Sequence, residues 1–236
     1  YRGASVTSAG SGVGGLVGQS FYRQIDIRNS YVNVSSATGV QGTFYVGGMV
    51  GYGGSNVSIQ SDNTNTSVYG TSLSPYSNAK VTATSQTSNN AYAGGLAGIS
   101  NGYYGGTMTI NNTSVTGVSV TGPGAYVGGL VGAANNLVTT STYVNGTTIS
   151  GTGTSNISSY VGGMAGSVNT ATITDGYVNS PGITATGSYV GGLIGNAGSN
   201  AYVTNTYVNS NITTTGTSYV GGLVGSMGTS SYVNGG

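Results

Sequence analysis

The octapeptide Ser218-Tyr-Val-Gly-Gly-Leu-Val-Gly225 decides the fold, because close copies of it recur along the whole chain. The copies read GVGGLVG (12–18), YVGGMVG (45–51), YAGGLAG (92–98), YVGGLVG (126–132), YVGGMAG (160–166), YVGGLIG (189–195) and YVGGLVG (219–225). The first glycine of the central pair recurs at intervals of 33, 47, 34, 34, 29 and 30 residues. This spacing is typical of a repeat protein, in which each unit is one supersecondary element.

The composition excludes several classes of function. Glycine accounts for 46 of the 236 residues, charged residues for 3%, and the net charge is +1. Four basic side chains cannot neutralise a row of phosphates, so nucleic-acid binding is not expected. No apolar run approaches the ~20 residues of a membrane helix, so no membrane span is predicted. The 19 tyrosines and the regularly placed β-branched residues argue against disorder.

A second landmark, the tripeptide Tyr-Val-Asn, follows most glycine pairs by about fifteen residues. It begins at Tyr31, Tyr143, Tyr177, Tyr207 and Tyr232. Apolar β-formers lie before and after it, so each unit holds three short apolar stretches separated by turn residues. Apolar residues are nowhere spaced as a helix requires, and glycine and β-branched residues disfavour helix. The units are therefore expected to be β.

Units of this size cannot bury a core alone, so consecutive units must stack. The sequence predicts an all-β protein, a parallel β-solenoid (β-helix) of about seven coils of roughly 30–34 residues, with three sides. Residues 1–236 are expected to form one repeat domain, and the 47-residue interval predicts a loop insertion at about 64–80. A β-propeller is the alternative, although its blades of about 40–45 residues need four strands each.

Stacking would place equivalent residues of the repeats in columns. A bend at the glycine pair lets both apolar positions point inward, which predicts a core ladder of Val46, Met49, Leu96, Val127, Leu130, Val161, Met164, Val190, Leu193, Val220 and Leu223. The preceding tyrosines are predicted to stack outside the coil as an aromatic ladder of Tyr45, Tyr92, Tyr126, Tyr160, Tyr189 and Tyr219. The second landmark predicts an amide ladder of Asn33, Asn145, Asn179, Asn209 and Asn234.

Threonines spaced two apart follow an inward apolar residue and are expected to face outward as regular rows. These are Thr82, Thr84, Thr184, Thr186, Thr213 and Thr215. The rows resemble those of solenoid ice-binding proteins, and the tyrosine ladder is an alternative contact surface for carbohydrate. The threonine rows fail at Gln41 and at residues 121–123. Outward threonine is also simply a good strand residue.

The chain offers little for catalysis, cofactor binding or metal binding. It contains no His, Cys or Glu, and its three aspartates lie in different repeats. General acid–base catalysis needs ionisable groups within reach of each other, so no enzyme activity, cofactor or metal site is predicted. In the one dense charged cluster, residues 21–29, charged side chains flank Ile25 and Ile27. This pattern indicates a charged outer face that discourages uncontrolled strand pairing.

The segments GGLVG, GGMVG, GGLAG and GGLIG, each followed by an apolar–Asn–Tyr-like segment, resemble the GLUG-motif repeats of large secreted and surface-anchored bacterial proteins. The resemblance covers essentially the whole chain. It implies an extracellular or cell-surface location and a stalk or adhesive role, with cell-surface glycans as partners. It carries no catalytic residue.

The two ends of the sequence are predicted to match, because Tyr1 and Tyr232 both occupy the position of the second landmark. This would give seven whole repeats with uncapped ends, to which another rod could add by continuing the ladder. The sequence therefore favours a structural role. The protein would be a filament subunit that stacks head to tail with its own copies, or a stalk segment formed with adjoining repeats of a longer chain. Ice or carbohydrate binding is the alternative.

Overall fold

The computed structural model describes residues 2–62, 66–70, 79–85, 91–100, 106–123, 125–153, 159–186, 189–215 and 219–234. The regular structure in these ranges consists of β-strands, and none of the described residues is helical. Gly, Val, Thr and Tyr dominate the strands, and the polar Asn, Ser and Gly residues lie mostly where strands meet. Strand formation by β-branched and aromatic residues agrees with their preference for a pleated, half-buried surface.

The strands follow each other closely along the chain. The first part contains β1 (Arg2–Thr7), β2 (Gly12–Gly14), β3 (Val17–Ser20), β4 (Ile25–Arg28), β5 (Tyr31–Gly42), β6 (Tyr45–Gly47), β7 (Val50–Gly53), β8 (Val57–Gln60) and β9 (Thr66–Gly70). The middle contains β10 (Ala79–Ala83), β11 (Ala91–Gly94), β12 (Ala97–Ser100), β13 (Thr107–Thr116), β14 (Val118–Pro123), β15 (Ala125–Gly128), β16 (Val131–Asn145) and β17 (Thr148–Thr152). The last part contains β18 (Tyr160–Gly162), β19 (Ala165–Thr174), β20 (Tyr177–Thr186), β21 (Tyr189–Gly191), β22 (Ile194–Ala197), β23 (Ala201–Thr204), β24 (Tyr207–Thr215), β25 (Tyr219–Gly221), β26 (Val224–Met227) and β27 (Tyr232–Asn234).

The strands stack in parallel, each on its equivalent in the next turn. The seven strands that end at the glycine pair form one ladder, in the order β2-β6-β11-β15-β18-β21-β25. The other strands belong to one 20-stranded sheet. The predicted all-β parallel β-solenoid is therefore confirmed, and it has about six turns, bounded by the seven glycine-pair strands. The three-sided cross-section stays a prediction.

A bend at each glycine pair carries the chain from one sheet to the other. In the turn that begins at β15, the bend lies at Gly129 and Leu130, and β16 starts directly after it. The carbonyl of Leu130 accepts hydrogen bonds from two backbone N–H groups of the preceding turn, Leu96 at 2.8 Å and Ala97 at 3.1 Å. The N–H of Leu130 in turn donates to Met164 of the following turn at 2.8 Å. At the bend, N–H groups therefore point toward later turns and carbonyls toward earlier turns.

Glycine is required at the bend for space. A Cβ built on Gly129 would lie 2.8 Å from Cγ1 of Val144 across the interior and closer still to the carbonyl oxygen of Gly163. Real Cβ atoms essentially never approach other atoms to less than 3.0 Å. The backbones of adjacent turns and the opposite wall therefore leave no room for a side chain at this position.

The predicted core positions lie in the interior of the solenoid, except in the outermost described turn. The exposed fraction is 0% for Val46, Met49, Leu96, Val127, Leu130, Val161, Met164, Val190 and Leu193. In turn 219–234, by contrast, Val220 is 52% exposed and Leu223 is half-buried. The difference arises because no later turn covers this one among the described residues.

One corner of the coil has left-handed backbone in most turns. It lies two residues after an apolar column, at Asn29 (φ 45°), Asn112 (φ 49°), Ser141 (φ 51°), Asp175 (φ 52°) and Asn205 (φ 50°). Short polar side chains, Asn and Asp above all, adopt this conformation more readily than others. The corner turns the chain from the apolar column into the second landmark, and sequence analysis did not identify it.

The structure corrects the assignment of the last landmark. Tyr232 pairs with Tyr202 and Asn234 with Thr204, in the ladder of β23 and β27. Tyr207, the true landmark of the preceding turn, pairs with Tyr177 instead. The prediction that the described ladder ends at the landmark corner is therefore wrong, and Tyr1 lies outside the described residues. Position in the coil depends on path length from the glycine pair, since Tyr232 and Tyr202 both follow their first glycine by eleven residues.

The predicted amide ladder is correspondingly shorter than expected. Asn179 donates to Asn145 at 2.9 Å, and Asn209 donates to Asn179 at 3.0 Å. Asn33 pairs in register with Tyr69, and Asn234 lies in another ladder, so neither belongs to this one. The ladder forms only where consecutive turns keep asparagine at the same position.

The predicted loop at 64–80 is wrong for part of that range. Residues 66–70 form β9, which pairs with both β5 and β13, and residues 79–80 begin β10. Residues 64–65 and 71–78 lie outside the described residues. The repeat interval showed that the turn is long but could not show where along the turn the extra residues lie.

Candidate functional site

The aromatic ladder lies on the outer side of the glycine-pair strands, one tyrosine per turn. Ring centroids of neighbours are 5.5 Å apart for Tyr45–Tyr92, 4.6 Å for Tyr92–Tyr126, 4.8 Å for Tyr126–Tyr160, 4.9 Å for Tyr160–Tyr189 and 5.1 Å for Tyr189–Tyr219. From Tyr92 onward the rings are close to parallel, with interplanar angles of 3° to 12°. The register of the strands imposes this spacing, because it equals the distance between turns.

The stacking occupies the ring faces of the inner tyrosines. A ring that has parallel neighbours on both sides offers a ligand only its edge and hydroxyl, whereas carbohydrate rings pack against aromatic faces. Burial, together with the neighbouring Tyr126 and Tyr45, raises the pKa of the Tyr92 hydroxyl well above its ordinary value. Burial also raises the pKa of Tyr126 and Tyr160. The column is therefore neutral at physiological pH, and its free aromatic face is that of Tyr219, which is 65% exposed.

A second aromatic column follows the second landmark. Tyr143 and Tyr177 lie 4.5 Å apart, and Tyr177 and Tyr207 lie 5.2 Å apart at an interplanar angle of 10°. Sequence analysis found the landmark but did not predict this stack. The constant spacing of the three tyrosines, in the same register as the asparagines that follow them, was the signal.

The predicted threonine rows are in register along β10, β14, β17, β20 and β24. One row contains Thr82, Thr121, Ser150, Thr184 and Thr213, and it continues to Gln41 and Thr7. The row two residues further along contains Pro123, Thr152, Thr186 and Thr215. Thr121 and Ser150 therefore extend the first row, which sequence analysis expected to break at Thr121. Of the six predicted threonines, Thr82 and Thr186 are half-buried and the other four are exposed.

Several of these hydroxyls are already used within the chain. The hydroxyls of Thr82 and Thr121 lie 3.0 Å apart and share a hydrogen bond. Thr84 donates to the carbonyl of Gly42 at 3.1 Å, and Thr186 donates to that of Gly153 at 3.0 Å. The part of the face with the freest hydroxyls is thus the end formed by β20 and β24.

The charged residues cluster at one end of the solenoid. Along β4, Ile25 and Ile27 are buried, and Asp26 and Arg28 are exposed between and beside them. Nε of Arg28 lies 3.0 Å from Oδ2 of Asp26, an exposed ion pair that contributes little to stability. Nowhere in the described part of the chain do three or more His, Cys, Asp or Glu side chains gather as metal ligands would. A helix able to span a membrane is likewise not found in the described ranges.

The two faces at the ends of the described solenoid differ in chemistry. At turn 219–234 the exposed apolar side chains include Val220, Met227 and Val233. The N–H groups of Leu223 and Val224 occupy the positions from which inner turns donate to the next turn. At the other end Leu16 is 39% exposed, and its carbonyl occupies the accepting position. One end therefore offers donors, and the other offers acceptors.

No protein-family model matches this sequence, and no curated protein or solved structure shows significant similarity to it.

Proposed function

We propose that this protein is a structural β-solenoid whose open coil faces accept further turns, as a filament subunit that stacks head to tail or as a segment of an adhesin stalk. The observation that carries the proposal is the exposed cross-section at turn 219–234, where Val220 is 52% exposed. The same position in the inner turns is fully covered by the next turn, as at Val127 and Val190. A further turn on this face would bury Val220 in the same way.

The hydrogen-bonding groups of the two end faces support addition in one direction only. The donors at Leu223 and Val224 match the acceptor at Leu16, because inner turns join through the same pairing. A contact between two different faces does not close on itself, so it propagates along an axis. Six turns at about 4.8 Å each make a unit roughly 30 Å long.

The extracellular or cell-surface location in this proposal comes from the resemblance to GLUG-motif repeats. The same resemblance supports an adhesive role, with cell-surface glycans as partners. The scarcity of charge agrees with a structural role, since 3% charged residues leave few groups for chemistry.

The proposal is tested by sedimentation velocity and negative-stain electron microscopy over a range of protein concentrations. The unaltered chain should form rods that lengthen with concentration. Val220→Lys places a charge on the open face and should keep the particles short. Thr213→Lys, which alters an exposed side position, should assemble like the unaltered chain. Separate particles about 30 Å long at every concentration would contradict the filament form and favour the stalk segment.

A second candidate, ice binding, is favoured by the register of the threonine row. Five hydroxyl-bearing residues from Thr82 to Thr213 lie at one position in consecutive turns, which makes a regular array. Thermal hysteresis of the protein solution tests it, and the double variant Thr184→Lys/Thr213→Lys should abolish the effect. A solution that freezes like buffer would exclude this candidate.

A further inference from the structure

The outer end of the aromatic ladder brings two accessible phenols together in a fixed geometry. Tyr189 and Tyr219 come from consecutive turns and are direct register partners. Their ring centroids are 5.1 Å apart, and their planes differ by 12°. Tyr219 is 65% exposed and Tyr189 is half-buried, so reagents in solution reach this pair. Parallel rings in register place the carbons ortho to each hydroxyl one above the other.

The composition directs oxidation to tyrosine. The chain has 19 tyrosines but no Trp and no Cys, the side chains that would otherwise compete for a one-electron oxidant. Of its four methionines, Met49, Met108 and Met164 are fully buried in the core. Met227, 38% exposed, is the remaining accessible sulfur. A radical formed on the aromatic ladder therefore has other tyrosines as its nearest reactive neighbours.

From this geometry we propose that the aromatic ladder is an oxidative cross-linking site, at which a peroxide-dependent one-electron oxidant joins Tyr189 to Tyr219 as dityrosine. Each phenol loses one electron and one proton to the oxidant. The two phenoxyl radicals form a carbon–carbon bond between their ortho positions, and the two ortho hydrogens then move to the oxygens to restore the phenols. The two electrons and two protons reduce one hydrogen peroxide to two waters.

The cross-link would tie two turns of the solenoid that are 30 residues apart in sequence but adjacent in space. It would prevent the outermost turn from peeling away, which is the first step in unwinding a structure held together by neighbour contacts alone. The reaction occurs within one chain, so it does not depend on the proposed filament.

The structure supplies a control pair matched in exposure and distance. Tyr202 and Tyr232 are also register partners, with centroids 5.2 Å apart and exposed fractions of 37% and 51%. Their rings meet at 70°, edge to face, so their ortho carbons do not lie above each other. Distance and access alone would make both pairs react equally, whereas parallel stacking favours Tyr189–Tyr219.

The test treats dilute protein with hydrogen peroxide and a peroxidase, follows dityrosine fluorescence, and maps cross-linked peptides by mass spectrometry. The Tyr189–Tyr219 link should exceed the Tyr202–Tyr232 link several-fold, at a rate per molecule that does not change with protein concentration. Tyr219→Phe should remove the first link, and Tyr232→Phe should leave it intact. Equal yields of the two links, mainly intermolecular links, or oxidation confined to Met227 would each overturn the proposal.

Discussion

The heptapeptide YVGGLVG occurs twice in this chain in identical form, at 126–132 and at 219–225, in two different environments. In the inner copy Val127 and Leu130 are completely buried. In the outer copy Val220 is 52% exposed and Leu223 is half-buried. Burial is therefore a property of the stack and not of the heptapeptide, and each turn is stabilised by the turns on either side. Identical substitutions in the two copies separate these contributions.

The largest difference between the two copies is expected for the bend leucine. Leu130→Ala should lower the free energy of unfolding by about 3 kcal/mol, because it leaves a cavity among fully buried neighbours. Leu223→Ala should cost about 1 kcal/mol, since a half-buried side chain loses less apolar contact. Urea denaturation followed by circular dichroism measures both. Equal losses at the two sites would show that the inner turns are not packed as described.

The second glycine of the pair gives the next largest contrast. Gly129→Ala should destabilise by about 2–3 kcal/mol, because the added methyl group overlaps the Gly163 carbonyl and Val144. Gly222→Ala adds a methyl group where nothing lies within 4 Å, and should change stability by no more than about 0.5 kcal/mol. The same denaturation experiment compares the two variants. A tolerated Gly129→Ala would mean that adjacent turns are further apart than the structure shows.

The inner turns also contain a position where a substitution should stabilise. Thr139 is completely buried in a column between Ile110 and Ile173, and its hydroxyl has no hydrogen-bond partner among the described residues. Thr139→Val replaces the hydroxyl with a methyl group of similar size and should raise the free energy of unfolding by about 1–2 kcal/mol.

The control for this substitution is Thr113→Val. Thr113 is equally buried, but its hydroxyl donates to the Asn111 carbonyl at 2.8 Å. Loss of that hydrogen bond should make Thr113→Val destabilising by about 1 kcal/mol. If both variants moved thermal stability in the same direction, the hydroxyl of Thr139 would have to be satisfied in solution.

The smallest expected effect concerns the left-handed corner. Ser141 has φ 51°, a conformation that asparagine tolerates better than serine, and asparagine occupies the corner at Asn112 and Asn205. Ser141→Asn should therefore stabilise by about 0.5 kcal/mol. Ser150→Asn changes the same residue types on an ordinary strand, where asparagine is disfavoured, and should be neutral or destabilising. Calorimetric melting of both variants distinguishes the corner from the strand.

The architecture was predictable because it depends on regular spacing. Seven glycine pairs at near-constant intervals cannot be explained by one closed unit, and the bend glycines must recur wherever turns touch. The inward Val and Leu positions and the tyrosine ladder follow from the same periodicity. Each of these features depends on the repeat alone, without detail from any one turn.

Features that depend on the path between repeats could not be read in the same way. Tyr232 has the letters of the second landmark but lies in the ladder of Tyr202, because the number of residues since the last bend sets the position. The left-handed corner was missed although Asn, Ser or Asp recurs two residues before Tyr31, Tyr143, Tyr177 and Tyr207. These polar residues look like ordinary turn residues until the register places them in one column.

The measurement that tests the central claim most directly is the distance between equivalent residues of consecutive turns. The chain has no cysteine, so nitroxide labels can be attached at Thr184→Cys and Thr213→Cys, exposed register partners that are 29 residues apart. Parallel in-register stacking puts their backbones about 5 Å apart, and the spectrum should show strong dipolar broadening. A control pair at Thr172 and Thr184, closer in sequence but not register partners, should show far less. Equal spectra, or broadening only in the control pair, would contradict the solenoid.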